Sequence, residues 1–386
     1  MPPLELEVFH DKYKIFLKIF QYATSLNFLP VSRLRFFNTW KIAIIPFSLI
    51  LSISLSIYKV STIQDNFDVV DLLYSIVVTC CMGQALSKFL IFAFFMGKKF
   101  STVLVYLEDL VFAQSTVMSH LRQRVLSKSI KTGYKIVMIY FALCVVSFLA
   151  YLFYVLHEKK FTSIMFYTFP SVNKGSILHI PLNLIYQFLI FSYGIWYMVL
   201  TDMLFVFISM YFRGELASLS ELIGGLDDER IDSEKEHRRI LHTFYEFHTK
   251  TKEMQRTFID VCWYSYLVQF FTSTVYLCLM LYMMSFSAAS FTLYFIPLAA
   301  MNQMFMVCLI GEILHTSGED VINAFSATKW YLMTTRNQRI FLILLTFVQP
   351  PTIIKTFGFK EVTLHTFLQL VKAMGSYCAF LYTILH

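Results

Sequence analysis

The sequence predicts an all-α membrane protein of seven transmembrane helices, with a cytoplasmic N-terminus, an extracellular C-terminus and a cytoplasmic helical anchor region. Three observations carry this expectation. Hydrophobic residues fill 57% of the 386 positions and charged residues only 15%, against roughly 25% charged in a soluble domain. Apolar runs fall at 42–58, 69–96, 136–156, 177–212, 261–286, 291–310 and 362–385, seven segments on the scale of a bilayer crossing. With the N-terminus inside, 24 of the 32 lysines and arginines become cytoplasmic: 6 up to Lys41, 7 in 97–135, 8 in 213–257 and 3 in 311–339. The outer loops keep only Lys59, Lys159, Lys160 and Lys174, the asymmetry that orients membrane proteins. The net charge of +7 is therefore a topology signal rather than a nucleic-acid footprint.

Residues 1–38 form a cytoplasmic N-terminal segment, which mixes charges with apolar positions and lacks the cleavage site of a signal peptide. Residues 39–212 hold the first four spans, the first of them between Lys41 and Lys59, which can snorkel to the two interfaces. The fourth run, 177–212, would be about 50 Å long as a helix, so it projects beyond the bilayer toward the turn Gly224-Gly225-Leu226-Asp227-Asp228.

A cytoplasmic helical extension occupies 213–260. Its second helix starts near Ser233, with Glu236 at capping-box spacing. Ile240, Phe244, Phe247, Thr251, Met254 and Phe258 then recur at steps of four and three as a packing seam, with Lys252 placed on another face. Spans five and six follow in 261–310. The stretch 311–361 is read as a cytoplasmic anchor with a short helix, because Ile340–Val348 is apolar for nine residues and stops at Gln349-Pro350-Pro351, where proline removes donors and forbids further helix. Residues 362–386 supply the last span.

Catalytic constellations are missing from the sequence. It has no close metal-ligand spacing among its histidines, no CxxC, no nucleophile elbow, no Gly-rich phosphate loop and no paired carboxylates within a span, so neither an enzyme nor a metal or cofactor is expected. The seven cysteines lie in or beside spans, which implies no extracellular disulfide framework. Ionisable residues within spans are few. Lys88 is close enough to the inner end of the second run to snorkel, Asp202 reads as an interfacial charge, and Lys372 is placed to reach inner-side water or a hydrated pore.

A ligand site is argued from spacing in the third span. Tyr140, Cys144, Ser147, Tyr151 and Tyr154 recur at steps of 4, 3, 4 and 3, which lines up hydroxyls and small polar groups on one helix face. Tyr74 on the second span, Tyr186, Phe188, Phe191 and Tyr193 on the fourth, Tyr276 on the fifth, and Tyr294, Leu298 and Met301 on the sixth lie at comparable depth. A cavity walled by such groups takes small, hydrophobic, uncharged molecules carrying one ester, alcohol or carbonyl.

The chain end also carries a family pattern. Gly311, Leu314, Ser317, Val321, Ala324, Phe325, Trp330 and Tyr331, then Gln349-Pro350, then Phe367, Leu370, Lys372, Ser376, Tyr377 and Phe380 together resemble the C-terminal signature of insect odorant receptors, with Phe325 standing where tyrosine is usual. The resemblance implies an odorant-gated cation channel subunit in a sensory-neuron plasma membrane, which binds a small hydrophobic volatile and assembles with co-receptor subunits into a tetramer. It implies an outer-leaflet pocket among spans two to six. Phe244, Phe247, Phe325, Trp330 and Tyr331 become candidates for the subunit anchor. Tyr377, Phe380 and Ile384 share a face of the last helix above Lys372, Val371 and Met374, and the resemblance makes Phe380 and Ile384 the hydrophobic gate. Two alternatives stay open. A seven-helix G-protein-coupled receptor would put the 24 charges outside and lacks its NPxxY here; a gustatory-type homomeric channel lacks its closing TY and QF pattern.

Overall fold

The apolar runs 136–156, 177–212, 261–286 and 291–310 lie for most of their length in helices that continue into the neighbouring charged segments. The computed structural model describes residues 5–24, 35–62, 69–112, 116–157, 179–227, 233–286, 295–350, 352–355 and 361–385. Among these it has ten α-helices: α1 Glu5–Thr24, α2 Arg35–Thr62, α3 Val69–Leu90, α4 Gly97–Phe112, α5 Thr116–His157, α6 His179–Gly224, α7 Glu234–Phe286, α8 Phe295–Ala327, α9 Thr335–Val348 and α10 Leu364–Leu385. Four stretches, Met118–Ala150, Pro181–Asp227, Glu234–Leu281 and Pro297–Ala327, are long and apolar enough to cross a membrane. Ile44–Tyr58 and Ser75–Leu90 are shorter apolar helices.

At 46 and 53 residues, α6 and α7 extend about 69 and 80 Å, well past a hydrocarbon core of about 30 Å. The extension of 213–260 is thus no separate module: its helix and the fifth span are one rod, α7. Glu236 and His237 donate their amides to the Ser233 carbonyl, so the rod starts where the sequence places it. Helix α6 is the hub. Every residue from Thr201 to Phe212 is buried, as expected of a helix apolar on all sides. Five residues of π-helix, Ile91–Phe95, join α3 to α4, with Met96 donating to the Ile91 carbonyl at 2.8 Å.

Helix α1 lies on this hub. His10 Nδ1 and the Tyr211 hydroxyl are 2.8 Å apart, and the Tyr13 ring packs at 5.3 Å from Tyr211 and 5.9 Å from Phe207.

A second core is built where α5, α6, α7 and α8 end together and α9 packs on them. Leu219, Ile223, Leu241, Phe244, Val321, Phe325, Phe341 and Val348 are buried there. Phe325 is its centre, with ring centroids 4.9 Å from both Phe244 and Phe341, and Trp330 stacks on Phe341 at 6.3 Å. The buried edge of α7 runs Leu241, Phe244, His248, Thr251, Gln255 and Phe258. The expected seam is corrected by one position: Ile240, Phe247 and Met254 are only half-buried beside it. Lys252 is likewise corrected. It is buried, and its ammonium donates to the Phe347 carbonyl at 3.0 Å while resting 5.0 Å from that ring, which places a cation at the carbonyl end of α9. Between α5 and α6, Arg122 holds buried Glu215 with two hydrogen bonds and lies over the Phe247 ring at 4.5 Å. Tyr331 is 62% exposed, and Leu332 beside it and Ile343 on α9 are exposed as well.

The start of α10 is fastened to α8. A Cβ on Gly311 would fall 1.9 Å from the Val362 carbonyl oxygen, so only glycine permits this approach. One residue on, the Glu312 carboxylate accepts the Leu364 amide at 3.2 Å. Phe305 packs edge-on to Phe367 at 5.6 Å.

Candidate ligand cavity and its polar floor

A cavity of about 120 Å³ opens among five helices. It is lined by Val77, Val78 and Cys81 of α3, Tyr140, Cys144, Ser147 and Phe148 of α5, Phe191, Ile195, Met198 and Val199 of α6, Tyr276 and Met280 of α7, and Ala299, Ala300 and Gln303 of α8. Large side chains line it from α5, α6 and α7, smaller ones from α3, and two alanines beside Gln303 from α8. Ala299 and Ala300 leave the room that larger side chains would fill. An apolar void of roughly 150 Å³ accepts benzene, so this slightly smaller one has room for a compact molecule of about that size or less.

Behind the lining residues Tyr140, Tyr276 and Gln303 lies a buried polar cluster, and there the reading of the ionisable residues is overturned. Lys88 does not snorkel and Asp202 is not interfacial. Their side chains are 0% and 1% exposed, and the ammonium meets the carboxylate at 2.7 Å. Asp202 Oδ2 also accepts the Tyr140 hydroxyl at 3.3 Å, the Gln303 amide at 3.2 Å and the Gln269 amide at 3.4 Å. Tyr276 donates to the Gln303 amide oxygen, Oε1, at 3.2 Å. Donors from α3, α5, α7 and α8 thus converge on one carboxylate of α6, compensating a charge that would otherwise be costly to desolvate.

The residues expected from spacing divide three ways. Cys144, Ser147, Phe191 and Tyr276 line the cavity, as does Tyr140. Phe188, Leu298 and Met301 are not among its lining residues. Phe188 lies about a turn from Phe191, half-exposed against Phe148 at 6.4 Å, and Leu298 is exposed because it lies across α8 from Ala300. Tyr186 is drawn to α2, where its hydroxyl is 3.3 Å from Ser52 Oγ, and Tyr193 stacks on Tyr197. The side chains of Tyr74, Tyr151, Tyr154 and Tyr294 lie outside the described residues. Sequence reasoning missed Gln303, the alanines and the α3 face. It also weighed Lys88 and Asp202 singly, although two opposite charges in apolar runs are a signal for a pair.

On the last helix, Tyr377 and Phe380 are 64% and 60% exposed, Lys372 is exposed, and Met374 is buried against the bundle. The side chain of Ile384 lies outside the described residues. No group of histidines, cysteines and carboxylates able to hold a metal occurs among the described residues.

A family model described as seven-transmembrane odorant receptor matches residues 49–375. The chain belongs to the odorant receptor family. This odorant receptor is an all-helical, multi-pass membrane protein of a channel family, not an enzyme. Among solved structures it is similar to the insect olfactory receptor OR5 from Machilis hrabei in complex with eugenol, with a TM-score of 0.82 and 17% identity over 98% of this chain and 100% of that one. The same receptor's structure described without eugenol matches with a TM-score of 0.80 and 17% identity over 98% and 99%. At that identity the likeness establishes the fold. No curated protein matches this odorant receptor by sequence.

Proposed function

We propose that this chain is the odorant-tuning subunit of an odorant-gated cation channel, which binds a small hydrophobic volatile in the cavity between α3, α5, α6, α7 and α8 and assembles with a co-receptor. The N-terminus lies in the cytoplasm, the C-terminus outside, and the subunit resides in the plasma membrane of a sensory neuron. The observation that carries the reading is the position of α8. Ala299, Ala300 and Gln303 line the cavity, while Phe305, Gly311 and Glu312 on the same helix hold the start of α10. A ligand that presses on α8 therefore bears on the helix proposed to line the pore. The exposed Tyr377 and Phe380 suit a face that closes a shared pore by dewetting. The neighbouring receptor OR5 is described with eugenol, a small, largely apolar molecule.

Gating then follows from binding energetics. A ligand shifts the channel toward opening only by its differential affinity for the open arrangement, and a shift from about 1:99 to 99:1 takes roughly a 10⁴-fold preference. Patch recording from cells expressing the chain with and without a co-receptor, against a panel of volatiles, tests the proposal. Ligand-evoked cation current in the pair is expected, and no current under any volatile would refute it.

The cytoplasmic core supports a second part of the proposal. Phe244, Phe247, Phe325 and Trp330 build the bundle inside one chain, and the exposed Tyr331, Leu332 and Ile343 form an apolar surface beside it that suits another subunit.

A further inference from the structure

Resting on the reading of α10 as the pore-lining helix, we propose that Lys372 sets the preference among permeating cations: its ammonium stands in the water path and holds divalent ions back more than monovalent ones. Polar residues are not spread evenly around α10. At about 100° per residue, His365, Gln369, Lys372, Ser376 and Thr383 fall within roughly 60° of one another, and all five are exposed. Met374, buried against the bundle, lies on the opposite side of the helix. Leu368 and Ala379 border the polar line on one side, and Ala373 and Phe380 on the other, all of them exposed. From His365 to Thr383 the line runs about 27 Å, close to the hydrocarbon thickness of about 30 Å.

The members of this line differ in how much they need water. Ser376 and Thr383 donate to the Lys372 and Ala379 carbonyls of their own helix at 3.1 and 2.6 Å, so their hydroxyls are satisfied in any surrounding. His365 and Gln369, one turn apart, bond to each other at 2.8 Å. Lys372 has no carboxylate within salt-bridge distance among the described residues, and α10 contains no acidic residue. Lys88, the other lysine within a span, is buried and holds Asp202 at 2.7 Å. An exposed ammonium with no such partner is costly against hydrocarbon, and lysines within spans accordingly face water-filled paths. The centre of the exposed face of α10 is therefore its wet side. Repulsion from a fixed charge scales with the charge of the passing ion, so a lysine that halves the local concentration of a monovalent cation quarters that of a divalent one.

Ligand-evoked current is recorded from cells expressing the chain with a co-receptor, sodium inside and calcium outside, and the reversal potential gives the calcium-to-sodium permeability ratio. Lys372→Gln should raise that ratio about twofold and Lys372→Glu about fourfold. Lys372→Arg keeps the charge and should leave the ratio at the wild-type value. Where Lys372→Gln carries no current, Gln369→Glu, which adds a negative charge three residues away on the same line, reads the ratio instead and should raise it likewise. A ratio unmoved by these charge changes with evoked current intact, or moved equally by Lys372→Arg, overturns the role of Lys372 and leaves the channel reading standing. Absence of ligand-evoked current from the unaltered chain overturns the channel reading itself.

Discussion

The Glu312 carboxylate receives the backbone amide of Leu364 at 3.2 Å, so the first turn of α10 hangs from α8 a few turns beyond Gln303 at the cavity floor. A carboxylate at a helix N-terminus satisfies a free amide and complements the helix dipole. The bond joins the helix proposed to meet the ligand to the one proposed to conduct.

Glu312→Ala should therefore uncouple rather than unfold. Loss of such a cap costs about 1 kcal/mol, which a protein of this size tolerates. Ligand binding should stay close to wild type while evoked current falls, and the two are separated by titrating the purified receptor and recording from cells. Equal losses in both would assign Glu312 to stability alone.

Gly311→Ala is expected to be harsher. Its new Cβ would lie 1.9 Å from the Val362 oxygen, which is backbone and cannot rotate away. Overpacking of this kind costs about 1–3 kcal/mol. A lower melting temperature together with loss of evoked current is expected, and wild-type values for both would show that the α8–α10 contact is looser than described.

Removing one member of the buried ion pair should be worse than removing both. Lys88→Met strands the Asp202 carboxylate without its cation, a change worth about 3–5 kcal/mol. Adding Asp202→Asn should restore most of that stability, because no uncompensated charge remains. The measurement is the melting temperature of the detergent-purified single and double variants. A double variant no more stable than the single one would contradict the pairing.

Acid should weaken the fold through two buried histidines. Burial first, then nearby Lys252, lowers His248 from 6.5 to about 4; burial and then Lys14 lower His10 likewise to about 4. The folded protein keeps both neutral where the unfolded chain binds protons. Their contribution is complete above pH 6.5, declines as pH falls toward 4, and stays lost below it, about 3 kcal/mol for each over the full window. Melting at pH 7.5 and 5 should show the decline, and His248→Phe should reduce it. An unchanged decline in that variant would exonerate His248.

Phe380→Ala combined with Ile384→Ala should raise ligand-free current in the presence of a co-receptor, since smaller side chains no longer exclude water from a closed pore. Unchanged leak and unchanged ligand response would remove both residues from the gate.

The sequence discloses what depends on composition and period. Seven apolar runs, the start of α7 at Ser233 and the short helix ended by Pro350 are all legible, because each follows from local rules of burial and backbone chemistry. The third-span face Tyr140, Cys144 and Ser147 is legible for the same reason, and the structure places all three at one cavity. What is not legible depends on how helices rotate against each other. A half-turn separates Leu298, which is exposed, from Ala300, which lines the cavity, and nothing in α8 alone chooses between them. Lys88 and Asp202 lie 114 residues apart, so each looks interfacial until packing brings them together. Gln303 gains its meaning only from that pair.

The central claim is that a volatile in the α3–α8 cavity opens a path lined by α10. The most direct measurement is the rate at which Phe380→Cys, expressed with a co-receptor, is modified by an external charged thiol reagent, read as a change in current with and without ligand. The account predicts faster modification with ligand, and no acceleration when Ala300→Phe fills the cavity. Modification that never alters current, or that proceeds equally with and without ligand, would contradict it.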